Sequence, residues 1–247
     1  MSRERSSFDS IREATDDKSA YSGHGKAAGQ AGYRDPGNLL RPAGDFLNES
    51  GASRALSVPE GQFQSLRVTL SWNNIVVESQ GFLGRLLGKV TKAGVDLDLG
   101  CLYELKDGRR GSVQAFGGMY GSRDQSPYIH HTGDERTGDK PGEDEAIAIL
   151  GANWENVKRF LVYAYVYHGP TSWDQIKPEM RIVVPGETPM IVTPSATRSD
   201  LPICALATVK NLENGVHLTN HSEYYSSHPA MDRAFGYGIQ WEDGAKE

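Results

Sequence analysis

The stretch that decides the fold is GVDLDLGCLYEL, residues 94–105. Val95, Leu97, Leu99, Cys101, Tyr103 and Leu105 fall on one face, and Asp96, Asp98, Gly100 and Glu104 on the other. A strict period of two with an apolar and a polar side is the mark of a half-buried strand. The same alternation recurs outward in both directions. Upstream it appears in QSLRVTLSW (64–72), and downstream in SVQAFGG, YIHHT, EAIAIL, KRFLVYAYVY, MRIVV, MIVTP, CALATVK, GVHLTNHSEYY and YGIQW. Turn residues separate these runs, as in KDGRRG, TGDKPG, YHGP, VPGE and KNLENG. One helix is expected at SHPAMDRAFG, where Pro229 suits a first turn and Gly236 a stop. Many short strands at this spacing predict an all-β fold, an antiparallel β-sandwich with one or two short helices.

Composition sets the limits. The chain has 247 residues, and residues 1–55 hold eight Lys/Arg, eight Asp/Glu and 23 Gly, Ser or Ala. That segment has too little apolar area to offset its ordering entropy and is expected to be a disordered tail, leaving 56–247 as the folded domain. The formal net charge of −6 argues against nucleic acid as partner. No apolar run is long enough to span a bilayer and MSRERSSFDS has no signal core, which predicts a cytoplasmic protein. Cys101 and Cys204 are too few for a disulfide framework, and both sit in apolar strand runs.

The segment HHTGDERTGDKPGEDEA (130–146) concentrates Asp134, Glu135, Asp139, Glu143, Asp144 and Glu145 among Gly133, Gly138 and Gly142. Carboxylates crowded into a tight, glycine-rich loop repel one another unless a cation neutralises them. An oxygen-rich, sulfur-free donor set suits a hard cation, and Ca²⁺ accepts such irregular geometry. Asp96 and Asp98 point the same way from their strand, with Cα atoms roughly 6.5 Å apart, and could complete a cage. A solvated acidic loop is the competing reading. The paired histidines do not supply a metal site: His130 and His131 are neighbours on a strand and face opposite ways. His217 and His221, on one strand face, would stand about 13 Å apart. Neither a nucleophile elbow nor a phosphate-binding glycine loop is present, and no residue is expected to be catalytic.

VDLDLGCLYEL, HHTGDERTGDKPGEDEAIAI and VKRFLVYAYVY together resemble the bacterial tellurium-resistance (TerD-like) domain. The carboxyl end, EYYSSHPAMDRAFGYGIQWEDGAKE, resembles its TerA branch. The resemblance covers roughly residues 60–247. It implies a Ca²⁺-binding β-sandwich without known catalytic activity and with a role in tellurite and stress resistance. Asp134, Asp139, Glu143, Asp144 and Glu145 match the family's calcium ligands, with Asp96 and Asp98 from the strand. Lys140 and Pro141 stand where the family usually has glycine and aspartate, which removes one ligand and adds a cation. The implied role is an interaction module for other stress-response proteins. The alternatives are a C2-like module that docks on membranes through calcium, or a carboxylate-using hydrolase.

Overall fold

The computed structural model describes residues 44–58, 63–73, 75–79, 90–132, 145–194, 200–212 and 215–241. Within Asp35–Ile239, the larger of two compact units, fourteen strands are described. They are β1 (Asp45–Phe46), β2 (Ser53–Ser57), β3 (Ser65–Ser71), β4 (Ile75–Ser79), β5 (Val90–Gly94), β6 (Asp96–Leu105) and β7 (Arg110–Gln114), then β8 (His130–His131), β9 (Glu145–Leu150), β10 (Val157–His168), β11 (Glu179–Val183), β12 (Met190–Val192), β13 (Ile203–Leu212) and β14 (Gly215–Tyr225). Among the described residues two α-helices accompany them, α1 (Trp173–Ile176) and α2 (His228–Phe235). One sheet runs β1-β12-β11-β3-β9-β8 and the other β2-β14-β13-β10-β6-β7, with β4 and β5 as a separate hairpin. Every pairing is antiparallel except β1 with β12.

The two six-stranded sheets enclose one apolar core. Leu66, Val68 and Leu70 of β3 and Ile147 and Ile149 of β9 join Leu97, Leu99 and Cys101 of β6 and Phe160, Val162 and Ala164 of β10 in it. Burial of such side chains is the main driving term of the fold. The alternation read in residues 95–105 is the alternation between this core and the outer face.

That outer face is also covered. Tyr163 and Tyr165, which point away from the core, lie beneath His228 at the start of α2, with ring centroids 5.2 and 5.4 Å away. Ser227 caps α2 by accepting from the Ala230 amide, and Gly236 ends it at φ 65°. Beyond the helix the backbone is clamped. Arg159 donates to the Phe235 and Gly236 carbonyls, and Arg110 donates to the Tyr237 carbonyl. Both guanidiniums also reach buried Glu104, which accepts from Lys158 as well.

Three expectations change. The last part of the segment assigned to the tail at 1–55 holds β1 and the first three residues of β2, which lie at the edges of the two sheets. Edge strands are held by backbone pairing and need few apolar side chains; here Leu47 and Leu56 suffice. Residues 1–43 lie outside the described residues. YGIQW is not a strand, because the Gly238 and Ile239 amides are taken by the Asp232 carboxylate instead of a neighbouring strand. A further hairpin, β4–β5, pairs Ile75–Ser79 with Val90–Gly94 where no strand was expected. No helix among the described residues is long and apolar enough to cross a membrane.

Candidate functional site

The acidic segment is the connection between β8 and β9. Its two ends are fastened together: the Thr132 amide and hydroxyl both donate to the Ala146 carbonyl, at 2.8 and 3.1 Å. The ladder below continues as His131 opposite Ile147 and His130 opposite Ala148. Whatever the segment does, it does it from a closed hairpin stem.

The stem stands at β6. Along β6, pairing with β7 stops at Gly100 opposite Gln114. The next amide, that of Leu99, donates to the Glu145 carboxylate, which reaches across from the other sheet. Glu145 is 3% exposed, and His131 Nε2 lies 3.5 Å from the same oxygen. The last acid of the segment therefore joins the two sheets, one residue from Asp98. Asp98 is itself buried, and Asp96 is half-buried on the same strand face.

Across the β6–β10 pairing, Asp98 is opposite Tyr165. The Tyr165 hydroxyl is buried and has no hydrogen-bond partner among the described residues. Burial raises its pKa, and the charges of Asp98, Tyr167 and Asp96 raise it further. Such an oxygen beside carboxylates is one more hard donor in the same neighbourhood.

Of the seven acids expected to hold calcium, three fall within the described residues: Asp96, Asp98 and Glu145. Asp134, Asp139, Glu143 and Asp144 lie outside them, as do Lys140 and Pro141. The described residues alone contain no group of three or more His, Cys, Asp or Glu positioned to hold a metal ion. Glu145 takes a part that the ligand expectation left out, as a buried acceptor for a strand amide. His131 was also missed as its neighbour; the opposed facing of His130 and His131 was the available signal, since it sends one ring inward.

The other sequence candidates have separate surroundings. His221 Nε2 is 2.8 Å from the Thr208 hydroxyl, while His217 Nδ1 is 3.5 Å from that of Thr219. Burial lowers the pKa of His228 to about 4, which keeps it neutral against the two tyrosines. Cys101 and Cys204 are fully buried, and desolvation pushes both thiols well up. Trp173 is a core residue whose indole donates to the Leu201 carbonyl.

Against known proteins, the chain is 32% identical to the tellurium resistance protein TerA of an Alcaligenes species over 187 residues, 76% of this chain. It spans about half of that relative's length, 54%. A solved homologue of the telluride resistance protein TerD from Streptomyces coelicolor A3(2) aligns with 68% of this chain and 94% of its own, at 14% identity and a TM-score of 0.45. No family model matches. Over three quarters of its length the chain is thus similar in sequence to a tellurium resistance protein.

Proposed function

We infer that this relative of a tellurium resistance protein is a calcium-binding stress-response module with a non-catalytic, interaction role in the cytoplasm. The observation that carries the reading is the attachment of the acidic segment. Its stem is closed at Thr132 and Ala146, and Glu145 ties it to β6 one residue from Asp98. Loop carboxylates from Asp134, Asp139, Glu143 and Asp144 would then meet Asp96 and Asp98, and the unpartnered Tyr165 hydroxyl adds a neutral oxygen nearby. Calcium supplies charge neutralisation to this oxygen-rich set and no covalent chemistry. The protein's own part is to hold the donors together on rigid strands, so that the ion fixes one end of the sandwich for a partner protein.

The test is calcium binding by Asp134→Ala and Asp144→Ala. Each variant should bind Ca²⁺ at least about tenfold more weakly than the parent while its strand content is unchanged, as expected for loss of one charged ligand. Parental affinity in both would reduce the segment to a solvated loop.

A second reading, docking on anionic lipid through calcium, has one observation in its favour. Met119 and Tyr120 are exposed, and the Tyr120 ring lies 6.0 Å from that of His131, beside the stem of the acidic segment. Apolar tips next to a cation site are what membrane docking requires.

A further inference from the structure

The sheet that holds β6 ends on one side at β2. Among the described residues β2 pairs with β14 and with no strand on its other side. Backbone groups along a strand point alternately to its two sides. The Ser57 amide points away from β14, because it donates to the Glu187 carboxylate at 2.9 Å. Ser53 and Ala55 therefore turn their amides and carbonyls the same way, while Arg54 and Leu56 face the ladder opposite Leu218 and Val216. Ser53, Ala55 and Ser57 together offer a row of backbone donors and acceptors to a strand laid alongside.

This edge lacks the usual guards against strand addition. Its five residues include no proline, and their register with β14 runs without a bulge. Ser53, Ala55 and Ser57 are exposed and put only small side chains on the outer face of the sheet. One guard is in place: Glu187, from the connection between β11 and β12, holds the Ser57 amide.

The edge is also self-complementary. An antiparallel copy of β2 with Ala55 opposite Ala55 sets Ser53 opposite Ser57 on both sides of the axis. Residues that turn their backbone outward then meet residues that do likewise. Arg54 falls opposite Leu56 of the second copy. Leu56 belongs to the core between the sheets, and Arg54, two residues away, shares its face of the strand. Glu187 comes from the opposing sheet, so it approaches β2 from that same face. The exposed Arg54 of one copy is thus brought towards the carboxylate that must leave the Ser57 amide of the other.

We propose that β2 is a homodimer interface, in which two copies of the strand pair antiparallel about a two-fold axis at Ala55 and each Glu187 moves from its own Ser57 amide to Arg54 of the second copy. Two six-stranded sheets become one, and an interface of this isologous kind closes at two copies. The pairing does not depend on calcium, because none of the acids assigned to the ion lies on β2.

The experiment is sedimentation velocity of the full chain over a micromolar concentration series at low ionic strength, with cysteine cross-linking to read the register. The parent should show a monomer–dimer equilibrium. Ala55→Pro removes the outward amide at the axis and no bond to β14, so dimerisation should weaken at least about tenfold while the melting temperature holds. Arg54→Glu faces carboxylate with carboxylate and should weaken the dimer by about tenfold. Ala55→Cys should give a covalent dimer with oxidised glutathione, since directly opposed, hydrogen-bonded residues have Cα atoms about 5.5 Å apart, within disulfide reach. Ser57→Cys should not, because its opposite residue is Ser53. Cys101 and Cys204 are buried and stay out of the reaction. A chain that remains monomeric at hundreds of micromolar would overturn the proposal, as would failure of Ala55→Cys to cross-link or parental dimerisation of both Ala55→Pro and Arg54→Glu. Cross-linking of Ser57→Cys as fast as Ala55→Cys would overturn the register.

Discussion

Glu145→Ala is the substitution that probes the junction between the acidic segment and β6. In the native chain the Glu145 carboxylate receives the Leu99 amide where β7 no longer covers β6. Removing it leaves a buried backbone donor unmatched, which costs about 1–3 kcal/mol. Deleting the buried methylenes adds about 1 kcal/mol. A total near 3 kcal/mol lowers the melting temperature of a domain this size by about 6–12 °C. Glu145→Gln keeps an oxygen for Leu99 and loses only the charge assistance, about 1 kcal/mol or about 2–4 °C. Calorimetric melting measures both, and hydrogen exchange at the Leu99 amide reads the contact itself. Leu99 should lose protection in Glu145→Ala and retain most of it in Glu145→Gln. Unchanged Leu99 exchange in the alanine variant would refute the reasoning, whatever the melting temperature does.

Glu104 makes the acid limb of stability predictable. Burial pushes its pKa up, but Lys158 and Arg159 outweigh burial and hold it at about 2, against an ordinary 4.5. A depressed carboxylate stabilises the fold above its unfolded pKa, so this contribution is complete above about pH 4.5 and is lost as pH falls towards 2. The full shift is worth about 3 kcal/mol, and screening at the half-exposed Lys158 and Arg110 leaves about 2 kcal/mol. Urea unfolding of Glu104→Gln should show that loss at neutral pH and a flatter profile between pH 5 and 2; an unaltered profile would contradict the assignment. For the membrane reading, co-sedimentation with phosphatidylserine vesicles should require Ca²⁺ and should fall in the Met119→Ser, Tyr120→Ser variant. Calcium-independent or unchanged sedimentation would exclude docking through that loop.

The sandwich was legible because its central strands carry the signal in their own side chains. β6 and β9 alternate, and β10 is long, apolar and aromatic on both faces, as expected of a strand beneath a covering element. Where pairing is a matter of backbone, the side chains are silent. Asp45–Phe46 and the first three residues of Ser53–Ser57 read as tail, yet the two strands complete both sheets at their edges. YGIQW reads as strand, yet the Asp232 carboxylate claims two of its amides. The candidate site shows the same limit. Counting carboxylates in 130–146 marks the segment as acidic, and strand parity puts Asp96 and Asp98 on one face. Neither tells that β7 ends opposite Gly100 and leaves the Leu99 amide to be satisfied by Glu145. Nor does the sequence reveal that Arg67 and His130, 63 positions apart, flank one alanine. Each of these depends on long-range register, which no local pattern encodes.

The central claim is that the acidic segment and the β6 aspartates hold calcium. Its most direct test is calorimetric titration of the metal-stripped full chain with Ca²⁺, with Mg²⁺ as the comparison. The account predicts a saturable heat for Ca²⁺ at an integral stoichiometry and much weaker binding of Mg²⁺, whose strict octahedral demand an irregular cage does not meet. Heats no larger than dilution up to millimolar Ca²⁺ would contradict it.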